Sequence, residues 1–599
     1  MSKPKQIDGF PNLVSLFFTR ANEGGDAPFL GRKVGREWVT LSWREVAGQV
    51  AALSDSLIKL GLNDGDRVVL VSENRPEWLI ADIGIMAAGC VTVPTYTTNT
   101  ERDHQHILDN SGARAVIVST AKLARSVMPA ALRANVEFVV VMEELRTAQQ
   151  GDVRLIDWSD LVRDGEGKVA EAVERARTVR RGDLACLIYT SGTGGAPRGV
   201  QQHHGAILHN VEGAAEILDQ DFGLGDEVFL SFLPLSHAYE HTGGQYLPIG
   251  VGAQIFYAEG LEKLVSNIEE VRPTIMVVVP RLFEVIRARM LKAVEKQGKA
   301  ANFLLSQALK LGAKEYQQGL SLLDRPMNIV VDRLFRPKIA QRFGGRMKAM
   351  VAGGAPLNPE IGVFFQSLGM TLLQGYGQTE AGPVISCNRP RVGLKMDTVG
   401  PPLKNTEVRI APDGEICVRG ELVMHGYWRN EAETARVLVD GWLLTGDIGH
   451  IDEKGRIVIT DRKKDIIVND KGDNVSPQRV EGMLTLQPEI QQAMVHGDKR
   501  PHLVAIIVPD PEWALEWAKS AGLPTDMALL QQHDAFRTAI RAAVDRVNQQ
   551  LSVIEKVRKF EFADEPFAIE NEQMTPSLKI RRHVLNKVYS ERIASMYRA

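Results

Sequence analysis

The sequence predicts a multidomain α/β protein. A large N-terminal part holds two layered α/β subdomains and a small β-barrel, and a small α+β C-terminal domain follows. Three observations carry this. At 599 residues the chain is too long for one core. Short β-branched runs alternate with helical patterns through its first two thirds. The texture then changes twice, to short strands and turns from about 398, and to mixed strands and helices beyond about 462–465. The expected domains are 1–462, with the barrel over 398–460, and 463–599.

RVVLVS (67–72), CVTVPTY, ARAVIVS and VEFVVVM are strand patterns with helical stretches between them, the mark of a parallel sheet covered on both faces. DLACLIYT, EVFLSFLPL, AQIFYA and TIMVVVP repeat the rhythm and imply a second layer. The most apolar window, Leu79 to Val93, is short and contains Asp82, so it reads as a buried helix and not a membrane span. Residues 281–345 are long, helical and amphipathic. Periodic apolar faces mean two or three helices packed on the core, with a lid or membrane-facing patch as the sharper alternative. Further on, Asp413-Gly414 between strand patterns signals a hairpin.

Composition narrows the function. Apolar residues make up 44% and charged residues 24%, as in ordinary globular proteins, and a net charge of −3 argues against nucleic acid as the main partner. Cys90, Cys186, Cys387 and Cys417 are scattered, with no C-x-x-C pair, so neither a zinc site nor a disulfide framework is indicated. The first residues lack a signal-peptide pattern. A cytoplasmic protein is expected, with peripheral membrane contact and a homodimer left open.

Four segments carry chemistry. YTSGTGGAPRGV (189–200) follows a buried-strand pattern. The hydroxyls of Thr190, Ser191 and Thr193, with backbone N–H groups freed by Gly192 and Gly194, suit phosphate oxygens, although the loop lacks the lysine of a Walker motif. In QGYGQTEAGP (374–383), Gln374 and Gly375 lead to Tyr376, a flat face for a base. Thr379 adds a hydroxyl, and Glu380 a hard carboxylate suited to Mg²⁺. Gly354 and Ala355, in VAGGAPL, let backbone approach a planar ring. Asp447 could accept both hydroxyls of a ribose, and Arg462 could bind the same sugar or its phosphate. Lys579 follows a Thr-Pro turn near the C-terminus. Each alone has an ordinary reading as a turn or a surface charge. His237 and His241 are spaced i, i+4, but no H-E-x-x-H pattern surrounds them, so zinc is not indicated.

In this order the segments resemble the adenylate-forming superfamily of acyl-CoA synthetases, adenylation domains and luciferases, along nearly the whole chain. SFLPLSHAYEH (231–241), VVVPRLFEVI (277–286) and the helical insert resemble its long-chain fatty acyl-CoA synthetase branch. The resemblance implies ATP, Mg²⁺ and CoA, and activation of a fatty acid to acyl-AMP followed by transfer to CoA. A fatty acyl-AMP ligase serving a carrier protein and a non-catalytic nucleotide-binding relative are the alternatives.

By the same resemblance, Thr190, Ser191, Gly192, Thr193, Gly194 and Arg198 grip the β- and γ-phosphates. Gly354, Ala355, Gln374, Gly375 and Tyr376 border the adenine, Thr379 touches the α-phosphate, and Glu380 binds the metal. Asp447 and Arg462 hold the ribose, and His237 borders the acyl and adenylate pocket. Lys579 is the catalytic charge. Lys464 is the hinge of a mobile C-terminal domain, while Lys471 and Gly472 border the CoA thiol. The chain departs from the family loop twice, with Gly194 for threonine and Arg198 for lysine. Weaker retention of ATP is the expected consequence.

Overall fold

A computed structural model describes residues 7–144, 153–163, 165–190, 196–471, 473–575 and 579–598. The chain divides into two compact units. One comprises Met1–Arg409, Cys417–Thr445 and Ile451–Ile457, the other Ile410–Ile416, Gly446–His450 and Val458–Ala599.

The first unit contains two large sheets. Seven strands run in the order Arg154–Asp157, Phe138–Val141, Ala115–Val118, Arg67–Val71, Val91–Thr95, Leu184–Thr190, Arg198–His203, and only the last pair is antiparallel. The eight-stranded sheet has the order Ser386–Cys387, Leu372–Tyr376, Ala349–Ala352, Ile275–Val278, Val228–Ser231, Gln254–Tyr257, Pro28–Val34, Glu37–Ser42. It too is parallel except at its two ends. The central strands are apolar and buried along their length, as a sheet covered on both faces requires. The α/β reading of the sequence therefore holds.

Local chemistry sets the helix starts. Ser42 and Glu45 form a capping box ahead of Trp43–Lys59, and Thr100 and Asp103 do the same for Glu101–Ser111. The window Leu79 to Val93 resolves into the end of the buried helix Pro76–Ala87 and the start of Val91–Thr95. The break follows Gly89, whose φ of +79° a side chain would strain.

Residues 281–345 form the helices Pro280–Glu295, Lys299–Gln318, Arg325–Leu334 and Arg336–Arg342. Leu305, Ala308, Leu311 and Gly312 face inward. A Cβ at Gly312 would lie 2.5 Å from the Ser367 Cα, so this helix packs backbone-close on Pro359–Ser367. The expected two or three helices are four here, and the packing reading holds for that inner face. Short strands, among them Glu407–Ile410, Glu415–Arg419, Trp442–Ile451 and Ile457–Arg462, occupy the region expected to be a barrel.

In the second unit, Leu503–Pro509 lies between antiparallel Ile490–His496 and parallel Val557–Phe562. Its side chains alternate between two cores. Leu503, Ala505 and Ile507 pack with Val480, Phe536 and Ile540. Val504, Ile506 and Val508 pack with Leu585, Tyr589 and Ile593. Helices thus cover both faces, the α+β arrangement read from the sequence.

Candidate active site

In open α/β sheets, ligands gather beyond the carboxyl ends of the strands. Residues singled out from the sequence lie at such ends in both sheets of the first unit. Thr190 ends Leu184–Thr190, Tyr376 ends Leu372–Tyr376, and Gly354 and Ala355 follow Ala349–Ala352. Ser191, Gly192, Thr193 and Gly194 lie outside the described residues. The chain returns antiparallel, with Arg198 opposite Thr190.

Thr379 and Glu380 sit in a single 3₁₀ turn, Thr379–Ala381, just past Tyr376. Several bonds hold this turn. Gln202 donates from Nε2 to the Thr379 carbonyl at 2.7 Å, and Met424 donates from its backbone to the Glu380 carbonyl at 3.0 Å. Tyr427 donates from its hydroxyl to Glu380 Oε1, also at 2.7 Å. Burial, and then the charge of Glu380, push the Tyr427 phenol well above its ordinary pKa and keep it a proton donor. Arg198 lies over the Tyr427 ring, 4.5 Å from its centroid, and pairs with Glu433 at 2.5 Å. A cation over a ring contributes about 0.5–2 kcal/mol, and a hydrogen bond to a charged carboxylate about 1.5–3 kcal/mol. The larger of the two ties Glu380 in place.

Tyr376 is buried and in register with Ser386. The Gln374 carbonyl accepts from the Asn388 backbone N–H, but its buried side-chain Oε1 has no hydrogen-bond partner among the described residues. A buried acceptor of this kind suits a ligand that donates. Gly375 pairs with Cys387. Gly354 has φ +80° and open space where a side chain would project, so backbone is accessible there.

His237 caps the turn that follows it, accepting at Nδ1 from the Tyr239 backbone N–H at 3.2 Å. That bond places the proton of a neutral ring on Nε2. His241, four residues on, is fully buried instead, against Asp82 at 3.0 Å, and Tyr246 donates to the same carboxylate at 2.6 Å. Glu240 is buried as well and accepts from Ser231 Oγ at 2.6 Å; burial pushes its carboxyl up to about 8.

In the second unit, Arg462 donates from Nε to Asp447 Oδ1 at 3.1 Å. Lys464 is exposed in the turn closed by Asp465 and Ile466 N–H groups on the Arg462 carbonyl. Lys463, its neighbour, pairs with Asp413 and Glu415. Lys471 is exposed, and its N–H donates to Asn469 Oδ1, while Gly472 lies outside the described residues. Lys579 is half-buried. Its carbonyl accepts from Thr575 N–H at 2.8 Å, and its own N–H donates to Thr575 Oγ1 at 3.1 Å.

Sequence reasoning missed Tyr427, Glu433, Gln202 and the Asp82–His241–Tyr246 cluster. A signal existed for the first two: GYWRNEAE (426–433) places an aromatic and an acid amid short strands, where bare barrel texture offers no use for them.

The model of the AMP-binding enzyme family matches residues 17–428, and that of the AMP-binding enzyme C-terminal domain matches 464–599. Long-chain-fatty-acid–CoA ligase FadD15 of Mycobacterium tuberculosis is 34% identical, over 99% of this chain and 98% of its own. Long chain acyl-CoA synthetase 1 of Arabidopsis thaliana is 30% identical, over 99% of this chain and 92% of its own. The adenylation domain of a carboxylate reductase from Mycobacterium chelonae shares the fold, with a TM-score of 0.74 at 21% identity over 99% of this chain and 92% of that one. With family models matching residues 17–428 and 464–599, the chain belongs to the AMP-binding enzyme family.

Proposed function

We propose that this chain is an AMP-forming acid–thiol ligase that activates a long-chain fatty acid with ATP and transfers it to CoA. The observation that carries the chemistry is the Thr379–Glu380 turn, held at a strand end by Gln202 and Tyr427 and adjoining Tyr376. Kinship to long-chain ligases along nearly the full chain supports the choice of acid and of thiol.

In the first half-reaction a carboxylate oxygen attacks the α-phosphorus of ATP. The bond to pyrophosphate breaks, leaving acyl-AMP. In the second the CoA thiolate attacks the acyl carbonyl, and AMP departs with the oxygen it gained. Both steps gather negative charge, so positioning and charge neutralisation are the protein's contributions. Tyr376 packs on adenine, Thr379 contacts the α-phosphate, and Asp447 with Arg462 takes the ribose. Lys579 supplies a point charge between carboxylate and α-phosphate, and His237 lines the acyl side. Lys464 serves as the hinge, and Lys471 with Gly472 borders the thiol.

Glu380 fits a bound Mg²⁺. Among the described residues no three His, Cys, Asp or Glu side chains group to hold a metal. Mg²⁺ beside nucleotides ordinarily needs only one or two carboxylates, with phosphate oxygens and water completing its shell. Bound there, it would neutralise phosphate charge.

We also infer peripheral contact with a lipid surface. Among the described residues no helix is long and apolar enough to cross a membrane. Leu322 and Leu323 are 75% and 91% exposed, however, and on the helix that follows Ile329 lies one turn from the exposed Arg333 while the exposed Val330 lies one turn from the exposed Leu334.

Pyrophosphate release across a panel of carboxylic acids, with and without CoA, tests the activity. Release that peaks with long-chain acids, with thioester formed from free CoA, is expected. Release without thioester would move the chain to the acyl-AMP ligases, and no acid-dependent release would sink the reading.

A further inference from the structure

We infer that Tyr427 is a positioning residue for Glu380, and that Arg198 holds Tyr427 in place instead of gripping a phosphate. The inference rests on the proposed use of Glu380 as the Mg²⁺ carboxylate.

Three observations meet at this point. The first is the bond itself. With the Tyr427 phenol on Oε1, the Glu380 carboxylate has a defined orientation, and Oε2 is left for a cation. The second is the state of Arg198. Its guanidinium carries an ion pair to Glu433 and lies on the face of Tyr427, so its charge and its plane are both engaged within the protein, although its buried Nε has no hydrogen-bond partner among the described residues. Glu433 also pairs with Arg436, at 3.0 Å, and sits in a helix capped by Asn430. The Arg198–Glu433 contact is thus anchored at both ends.

The third is a closed circuit of backbone and side chain. Trp428 N–H donates to the Gly199 carbonyl at 2.7 Å, Gln201 N–H to the Gly426 carbonyl at 3.0 Å, and Val200 faces Tyr427 across a β-bridge. The ring is therefore fastened to the strand that leaves the phosphate loop. Gln202 on that same strand reaches Thr379, closing the circuit on the turn that bears Glu380. Displacing the strand would move Tyr427, and with it the carboxylate.

This gives the arginine a physical reason. A guanidinium can stack flat on a ring while its edge pairs with a carboxylate; a compact ammonium cannot do both in one place. In this chain the position that the family fills with lysine has a planar task.

The test is calorimetric binding of ATP without acid or CoA, so that no turnover occurs, titrated with Mg²⁺ and repeated in EDTA. Tyr427→Phe removes only the hydroxyl. It should raise the Mg²⁺ concentration for half-maximal tightening of ATP binding roughly tenfold, the loss of one charge-assisted hydrogen bond, while ATP affinity in EDTA stays within twofold of wild type. Arg198→Gln should shift the Mg²⁺ dependence the same way, Arg198→Lys should restore it only in part, and adding Tyr427→Phe to Arg198→Gln should cost little more. An unshifted Mg²⁺ dependence in Tyr427→Phe overturns the inference. So does weaker ATP binding in EDTA for Arg198→Gln, which would place the guanidinium on a phosphate. Thermal melting of each variant identifies misfolding, and Glu433→Gln then perturbs Arg198 from its other side with the same expected shift. Wild-type protein that binds no ATP would refute the proposed function itself, a result distinct from a silent Tyr427→Phe.

Discussion

Arg462 and Asp447, two residues assigned to the same sugar, are bonded to each other, Nε to Oδ1 at 3.1 Å. The Asp447 side chain is only 10% exposed, whereas that of Arg462 is 41% exposed. If the pair takes a ribose, the carboxylate is the recognition group and the arginine orients it by holding one oxygen. Asp447→Ala should weaken AMP binding by roughly tenfold or more, the value of a charge-assisted hydrogen bond. Arg462→Ala should cost less, because the acceptor survives without its brace. Calorimetric titration with AMP measures both, and an Asp447→Ala protein with wild-type affinity would remove the ribose from this site.

Lys579 is presented by a short closure between Thr575 and its own backbone. If it acts only where a carboxylate meets the α-phosphate, Lys579→Ala should slow adenylation by roughly 10²–10³-fold, as for other single electrostatic donors. Thioester formation from supplied acyl-AMP should be nearly unaffected. Single-turnover assays of the two half-reactions decide this, and equal loss in both contradicts the division of labour.

Glu240 sets a pH dependence of stability. Burial raises its carboxyl to about 8 in the folded chain, from an ordinary 4.5. The folded state therefore binds the proton more tightly than the unfolded state does. The associated stability is complete below about pH 4.5 and is lost as pH rises to about 8. Glu240→Gln keeps a neutral group on Ser231 and should remove this loss, on the order of a few kcal/mol across the span. Melting temperatures of wild type and variant should diverge as pH increases, with the variant higher. Parallel curves would show that Glu240 does not titrate in this way.

Gly312 has no room for a side chain, since a Cβ there meets Ser367 Oγ at 2.1 Å and its Cα at 2.5 Å. Gly312→Val should destabilise the first unit by roughly 1–3 kcal/mol through overpacking. A lower melting temperature and faster proteolysis within 299–342 are the expected signs. Unchanged melting would mean the helix can shift without cost.

The exposed leucines make a separate prediction about lipid surfaces. Leu322→Ser with Leu323→Ser, and independently Arg325→Glu with Arg333→Glu, should each reduce co-sedimentation with phosphatidylglycerol vesicles severalfold, because apolar insertion and charge attraction add. Turnover of a soluble shorter-chain acid should not change. Equal sedimentation of wild type and both variants would leave this face without a lipid role.

Much of the architecture was legible from short-range signals. Alternating β-branched runs and helical patterns predict parallel sheets because a strand buried on both faces needs apolar residues throughout, as Ala115–Val118 and Phe138–Val141 have. Ser42 with Glu45 and Thr100 with Asp103 start helices through bonds three residues apart. The candidate residues Thr190 and Tyr376 were likewise visible, each following a strand-like run, whereas the strand that ends before Gly354 emerged only in the structure.

The pairings were not visible. Tyr427 and Glu380 are 47 positions apart, Arg198 and Glu433 are 235 apart, and Asp82 and His241 are 159 apart. No local periodicity links such positions, because their meeting depends on how strands order themselves within a sheet. By itself the sequence determined where strands and helices form and which candidate residues stand at their ends, since those follow from nearest-neighbour sterics and apolar spacing. Only the tertiary structure decided which side chain each of those groups touches. An arginine read as a phosphate ligand lies in it on a tyrosine face, because a strand returning from the phosphate loop runs beside the segment that carries Tyr427.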